Sequence, residues 1–351
     1  MAAVEEGRIV EGGRTVEEGR TVEGSPAVEE RPSRPVPKDP FRRSLSAMRQ
    51  DADPGLFGPR SVTWQLHSDP VMWIAGVRAL WLQALHPVAV RGVMINSGFR
   101  EDPWGRLMRT ADFVGTLSYG TTEAAEKAGA RVRRIHRLLG VDDPELLLWV
   151  HCAETDSYLS VARRSGIPLT DAAADRYVDE HRTSARLVGL DPDTVPGSAA
   201  DLAAYFEAVR PGLTAGPDAR TVADFLRRPP VKPALVPARE VIWRRVTALA
   251  YDTLPPYAHA LYGRPAPPPE TVTRRLVATA GLLRRVPARL RWRLPPRHIL
   301  RAVDRLGPET RPDPYAYPAP YSPSDPTAIL EEPRRQHGID GGGSTRWGTP
   351  D

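Results

Sequence analysis

The sequence predicts an all-α protein, built as a globin-like or orthogonal multi-helix bundle with disordered N- and C-terminal tails. Three observations predict it. Between about 60 and 262, apolar residues recur at the spacing of three and four that lines one side of a helix. No stretch there alternates apolar and polar residues in the period of two that a half-buried strand shows. Residues that start and stop helices bracket the periodic segments one after another.

Residues 71–85 are apolar on nearly every side, which predicts a buried helix. Pro87 ends or kinks it, and the proline pushes His86 out of regular helix. A second helix follows at 88–97. A third covers 103–118, with Pro103 at its start and Leu107, Thr110, Ala111, Val114 and Leu117 along one side. The next runs over 121–139, from a Thr-Thr-Glu cap to a stop at Gly140. Another spans 144–165, with Pro144 first and Gly166 last. LTDAAADRYVDEHRTSARLVG is capped by Thr170 and ended by Gly189. SAADLAAYFEAVRPGL repeats the pattern from Ser198, and TVADFLRRP and REVIWRRVTALAYDTLP complete the set.

The ends read differently. Prolines number 38 in 351 residues, roughly twice the average share. They cluster at 32–40, 229–237, 265–269, 287–296 and 312–333, and leave 104–143 free. Residues 7–24 repeat with period six (GRIVEG, GRTVEE, GRTVEG), units too short to bury a core. The expected organisation is a disordered low-complexity segment at 1–45, a helical catalytic domain at 46–262, a basic helical extension at 263–310 and a disordered Pro/Gly-rich tail at 311–351.

Composition excludes several classes. A lone cysteine, Cys152, cannot form an internal disulfide or a multi-cysteine cluster, and it fits a reducing compartment. The start lacks the basic and apolar regions of a secretory signal, so a cytoplasmic location is expected. The most apolar stretch, 71–95, holds Arg78, His86, Pro87 and Arg91, which a bilayer would bury at high cost. It reads as a buried helix pair. The net charge of +5 is concentrated in an arginine run over 274–305. That run suits a peripheral contact with anionic lipid; a solvated helix face explains the same residues, and no nucleic-acid motif accompanies it. Oligomeric state is not readable.

Polar groups inside the apolar helices mark where chemistry sits. Arg106, Arg109 and Thr110 share one face, as do His151, Glu154 and Thr155, with Tyr158 one turn on. His136 shares a face with Val132, Arg133 and Leu139, and His86 is a further candidate. Each has a plainer explanation. A histidine on an apolar face is more often a hydrogen-bonded core residue than a ligand, an Arg-x-x-Arg-Thr face usually partners buried carboxylates, and a buried cysteine such as Cys152 usually acts as a small hydrophobe rather than a thiolate ligand to haem.

LQALHPVAVRGVMINSGFREDPWGRLMRT, VRRIHRLLG, DDPELLLWVHCAETDSYL and PLTDAAADRYVDEH, in that order and at similar gaps, resemble the signature blocks of the MpaB/latex-clearing-protein family. The resemblance runs from about Trp73 to about Leu261. The family includes rubber oxygenase, which cleaves polyisoprene double bonds, and the MpaB enzyme, which cleaves a farnesyl side chain. Members with studied chemistry hold a b-type haem in a helical core through a histidine. The resemblance therefore implies an enzyme, a haem b-dependent oxygenase with O2 as co-substrate and a small apolar, isoprenoid- or lipid-like substrate. By position it makes His136 the iron ligand. It matches Arg106, Arg109 and Thr110 to the distal side, with Arg109 where rubber oxygenase has lysine. A guanidinium stays protonated and does not readily ligate iron, so hydrogen bonding or propionate pairing is the role implied for these arginines. His151 and Thr155 are implied to line the same cofactor pocket. For the catalytic base, Glu154 is the nearest candidate. Gly140 to Pro144 is a shorter connection than the family often carries. Three rivals stand beside this reading: a non-haem iron centre from His136, His151 and Glu154, a non-catalytic protein that binds haem or an apolar ligand, and a membrane- or nucleic-acid-binding adaptor that uses the arginine run after 274.

Overall fold

A computed structural model describes residues 52–95, 102–228, 236–293 and 297–315. The N-terminal repeat and the tail after Tyr315 lie outside these, as do the expectations of disorder attached to them. The described residues form α-helices joined by turns and short 3-10 segments, with no strand among them.

The helices begin and end where the local chemistry demands. The early ones are α1 (Val62–Leu66), α2 (Met72–Gln83), α3 (Pro87–Ile95), α4 (Pro103–Tyr119) and α5 (Thr122–Leu139). After them come α6 (Pro144–Arg164), α7 (Asp171–Val188), α8 (Ala199–Val209), α9 (Pro217–Arg227) and α10 (Val236–Asp252). Asp102, Thr121, Asp143, Thr170 and Ser198 each accept a hydrogen bond from a backbone N–H in the first turn of the helix they precede. Gly140, at φ 63°, closes α5, and Gly189, at φ 106°, closes α7, both in the left-handed region that suits glycine. The expected 88–97 helix starts one residue early, with Pro87 as its first residue. His86 caps it: the Nδ1 of the ring accepts from the Ala89 N–H at 3.3 Å.

The core forms where α2 lies against α6 and α10. Val71, Ile74, Val77, Trp81 and Leu82 meet Trp149, Cys152, Leu159, Val161 and Leu249 there. The two central helices are also tied by polar groups. The Trp149 indole N–H donates to the Gln83 carbonyl at 3.1 Å, and the Gln83 amide donates to the Val150 carbonyl at 3.0 Å. Arg78, the charge that argued against a membrane span, is buried within this core. It donates to the Asp156 carboxylate at 2.8 Å, the Ser157 hydroxyl at 2.7 Å and the Thr253 carbonyl at 3.3 Å. Among the described residues no helix is long and apolar enough to cross a membrane.

A second layer carries α5 across α7. They cross at Gly129, where an added Cβ would stand 2.7 Å from the Leu187 carbonyl oxygen and 2.9 Å from the Leu187 Cβ. Alanine there gains helix propensity of about 1 kcal/mol, but backbone cannot yield as a side chain can. Gly129→Ala is expected to lower stability by about 1–2 kcal/mol, read by denaturant unfolding, because overpacking outweighs propensity. A more stable variant would show that the crossing is looser than the distances indicate.

The remaining elements are α11 (Pro256–Tyr262), α12 (Pro269–Arg285), α13 (Ala288–Arg291) and α14 (His298–Leu306). They pack into the same body as the helices before them. Val272, Leu276 and Ala280 of α12 belong to the main core. Ala302 and Leu306 of α14 join Trp64 and Tyr119 in a smaller cluster. Arg305 donates to the carbonyls of Asp53 at 3.1 Å, Tyr119 at 3.0 Å and Gly120 at 3.3 Å, which satisfies acceptors that the end of α4 leaves open.

Candidate functional site

The turn at Gly120 and Thr121 joins α4 and α5 into a helical hairpin. Its far end, where α4 begins and α5 finishes, carries Arg106, Arg109 and Thr110 on one arm and His136 on the other. Near the turn the hairpin is well covered: Leu117, Ser118, Tyr119, Ala125 and Gly129 are buried. Towards the far end cover is lost, and Met108, Ile135, Leu138 and Leu139 are exposed. The helix after the hairpin, α6, is linked to α5 by only Gly140–Asp143, yet α5 packs chiefly on α4 and α7. Met108, Ile135 and Leu138 therefore present apolar surface at this end among the described residues.

Deeper in, on the α6 and α7 side, lies a cluster of buried polar rings. Glu180 of α7 sets it up by accepting from the Val62 N–H at 3.0 Å, the Thr63 N–H at 2.8 Å and the Thr63 hydroxyl at 2.7 Å, which fixes the start of α1. At the end of that short helix His67 stands between α4 and α7. Its Nδ1 is 2.7 Å from the Ser118 hydroxyl and its Nε2 is 3.0 Å from the Tyr177 hydroxyl. Tyr158 and His181 lie beside the ring, with centroids 4.8 and 5.5 Å away. His181 stacks at 4.4 Å on Tyr177, and the His151 ring follows at 6.1 Å from His181. The His181 Nε2 is buried with no hydrogen-bond partner.

The electrostatics follow from this enclosure. Burial pushes His67 down to about 3 and His151 to about 4, and drives His181 well below the usual imidazole value, helped by the two neighbouring rings. All three are neutral at pH 7. Burial pushes the Glu154 carboxyl up to about 7, and no hydrogen bond reaches its side chain among the described residues. His67, His151 and Glu154 are strongly desolvated yet keep some surface that water can touch.

The residues singled out from the sequence separate into three groups. His151, Glu154 and Tyr158 face this interior. His136 and Arg106 are half-buried at the far end of the hairpin. Burial lowers the His136 pKa, partly opposed by the Asp142 carboxylate, and its Nδ1 is buried without a partner. Burial and the adjacent Arg109 charge lower the Arg106 pKa, and no carboxylate pairs with Arg106 among the described residues. Arg109, Thr110 and Thr155 are turned to other tasks. Arg109 faces solvent and pairs with Asp102 at 3.1 Å. The Thr110 hydroxyl donates to the Arg106 carbonyl at 3.1 Å, and the Thr155 hydroxyl to the His151 carbonyl at 3.0 Å. Among the described residues no three His, Cys, Asp or Glu side chains are grouped so as to hold a metal ion, so the triad of His136, His151 and Glu154 is not assembled. Cys152 lies in the core with its thiol pKa raised by burial.

His67, Tyr177 and His181 were missed from the sequence. Tyr177 and His181 stand four apart on the buried face of α7, a signal that periodicity does carry. His67 had none, because it follows a helix of only five residues.

Residues 64–310 match the family model described as ER-bound oxygenase mpaB/B'/Rubber oxygenase, catalytic domain. The chain belongs to this family. The match spans both the hairpin and the buried ring cluster, and it runs through α14, so the helices after Tyr262 are part of the mpaB/rubber oxygenase catalytic domain. Neither the curated proteins nor the solved structures offer a match to the chain. The family assigns oxygenase chemistry and suggests an oxygen-using redox cofactor.

Proposed function

We propose that this oxygenase is haem b-dependent, uses O2 as co-substrate, acts on an apolar, isoprenoid- or lipid-like substrate and ligates iron through His136. The observation that carries the reading is the far end of the α4–α5 hairpin, where the half-buried His136 imidazole, its Nδ1 without a partner, and the Arg106 guanidinium, with no carboxylate partner among the described residues, stand near the exposed apolar side chains of Met108, Ile135 and Leu138.

The residues fit the group. Iron ligation requires the neutral ring, and burial keeps His136 in that form. No protein group hydrogen-bonds its side chain among the described residues, so a ring nitrogen is available. The Nδ1, buried and unpaired, is relieved if cofactor binding draws an acceptor to it, as metal-bound histidines ordinarily have. Arg106 lacks an anion, and a haem propionate supplies one through a charge-assisted hydrogen bond. Arg109 is held by Asp102 instead, so Arg106 is the arginine of the pair that fits the role.

When bound, the haem iron supplies activation of O2. The chain supplies the rest. Leu107 and Val114 on α4 offer apolar surface to an alkene, as expected where most of the lining is hydrophobic and polar groups are few. His151 stays neutral and aligns by hydrogen bonding. Glu154, with a pKa near 7, is poised to take up or give a proton at a carboxyl oxygen at working pH.

The full chain, purified with haemin available, is expected to show a Soret band that His136→Ala removes, and Arg106→Ala is expected to weaken haem retention without removing it. Oxygen uptake with isoprenoid alkenes should follow the haem content. A colourless protein that refuses haemin overturns the proposal, as does a Soret band unchanged in His136→Ala. Haem retained with no oxygen uptake on any isoprenoid or lipid alkene would reduce the protein to a haem binder.

A further inference from the structure

One face of α12, continued by α13, serves neither the core nor the proposed site. The buried face of α12 is anchored: Val272, Leu276 and Ala280 are in the core, and Arg284 donates to Asp69 at 2.9 Å and to the Ser165 carbonyl at 2.8 Å. The opposite face is thereby held outward. Arg274 and Arg285 lie along its middle with Val277 and Leu282 on its two edges, and Val286, Arg289, Leu290 and Arg293 are exposed on the residues that follow. Its apolar members are Val277 at 43% exposure, Leu282 at 63%, Val286 at 44% and Leu290 at 53%. No carboxylate pairs with Arg274, Arg285, Arg289 or Arg293 among the described residues, although other arginines of the same stretch, Arg275 and Arg284, do have acidic partners. The one acidic residue on these two helices is Glu270, in the first turn of α12.

We infer that this face docks on an anionic lipid surface. Exposed leucine and valine flanking arginines that have no carboxylate partner, on the outward side of a helix, suit a segment lying in the headgroup plane. The apolar side chains enter the acyl boundary while the guanidiniums reach back to phosphate, their aliphatic stems covering the gap. A second copy of the chain is a poorer occupant, since a two-fold contact would set arginine against arginine. Nucleic acid satisfies the arginines but leaves the leucines exposed. The inference holds whichever cofactor the domain carries.

Flotation of the full chain with vesicles tests it. Binding is expected to phosphatidylcholine vesicles containing phosphatidylserine, much more weakly to phosphatidylcholine alone, and to fall as salt rises. Arg285→Glu with Arg289→Glu is expected to weaken binding more than about tenfold, from roughly 1 kcal/mol per basic residue near an anionic surface. Leu282→Ser with Leu290→Ser should weaken it too, at unchanged charge, and both variants should melt like the parent because the sites are exposed. Absence of vesicle binding overturns the inference, as does binding indifferent to either double variant. Two other outcomes also overturn it: binding to duplex DNA that the leucine variant retains, with none to vesicles, and a dimer that only the leucine variant disperses.

Discussion

Lowering the pH from 7 to 5 is expected to destabilise this fold by roughly 3 kcal/mol, a large part of an ordinary domain's margin. In the unfolded chain the imidazoles of His67, His151 and His181 titrate near pH 6.5. In the fold they are held at about 3, about 4 and well below 6.5 by burial. Below pH 6.5 the unfolded chain therefore binds more protons than the native state, and stability falls as pH falls. Each ring contributes up to about 1.4 kcal/mol per pH unit. Glu154 acts in the opposite sense. With its pKa raised to about 7, the native state holds a proton that the unfolded chain releases down to the ordinary carboxyl range, so this group gains stability as pH falls. Glu180 is shifted in the same direction. Three rings outweigh the carboxyls, and the water-touched surface of His67 and His151 trims the sum. Thermal unfolding across this range should show a falling midpoint. His181→Leu should flatten the dependence with little change at pH 7, since its Nε2 has no hydrogen bond to lose. Glu154→Gln should steepen it. A midpoint constant between pH 7 and 5 would mean that the rings are not held neutral.

The second large effect concerns Arg78 and Asp156, whose side chains are 3% and 30% exposed. Removing one member of a buried pair costs about 3–5 kcal/mol because the other is left uncompensated. The two members are unequal here. Arg78→Met leaves Asp156 free to take up water through its exposed edge, while Asp156→Ala strands a guanidinium with no route to solvent, held by the Ser157 hydroxyl and the Thr253 carbonyl alone. Asp156→Ala is therefore expected to cost about 3 kcal/mol or more, and Arg78→Met distinctly less. Urea unfolding of both variants decides it, and the reverse order would show that the Arg78 contacts to Ser157 and Thr253 matter more than its charge balance.

Arg78 also shows how burial separates residues that look alike in sequence. In the run 71–95, Arg78 and Arg91 argue equally against a membrane span, but only Arg78 is inside, because it meets Asp156 from α6 and Thr253 from the end of α10. The arginines after 274 divide the same way: Arg284 and Arg305 turn inward to Asp69 and to open carbonyls, while Arg285 and Arg289 face out.

The sequence by itself determined the helices. Thr121 and Gly140, Pro144 and Gly166, and Thr170 and Gly189 mark ends that the fold keeps within a residue or so, because capping is chemistry between neighbours in the chain. It also determined the family, whose blocks are written in order along the chain. Only the tertiary structure decided which polar residues share an interior. His67, Ser118, His151, Tyr158, Tyr177 and His181 come from three helices and the residue after a fourth, and no spacing along one chain records that meeting. Arg109 reaches Asp102, the cap of its own helix seven residues back, and Arg106 has no carboxylate partner among the described residues. The two residues sit three apart on one helix, and packing decided that Arg106 is half-buried while Arg109 is exposed.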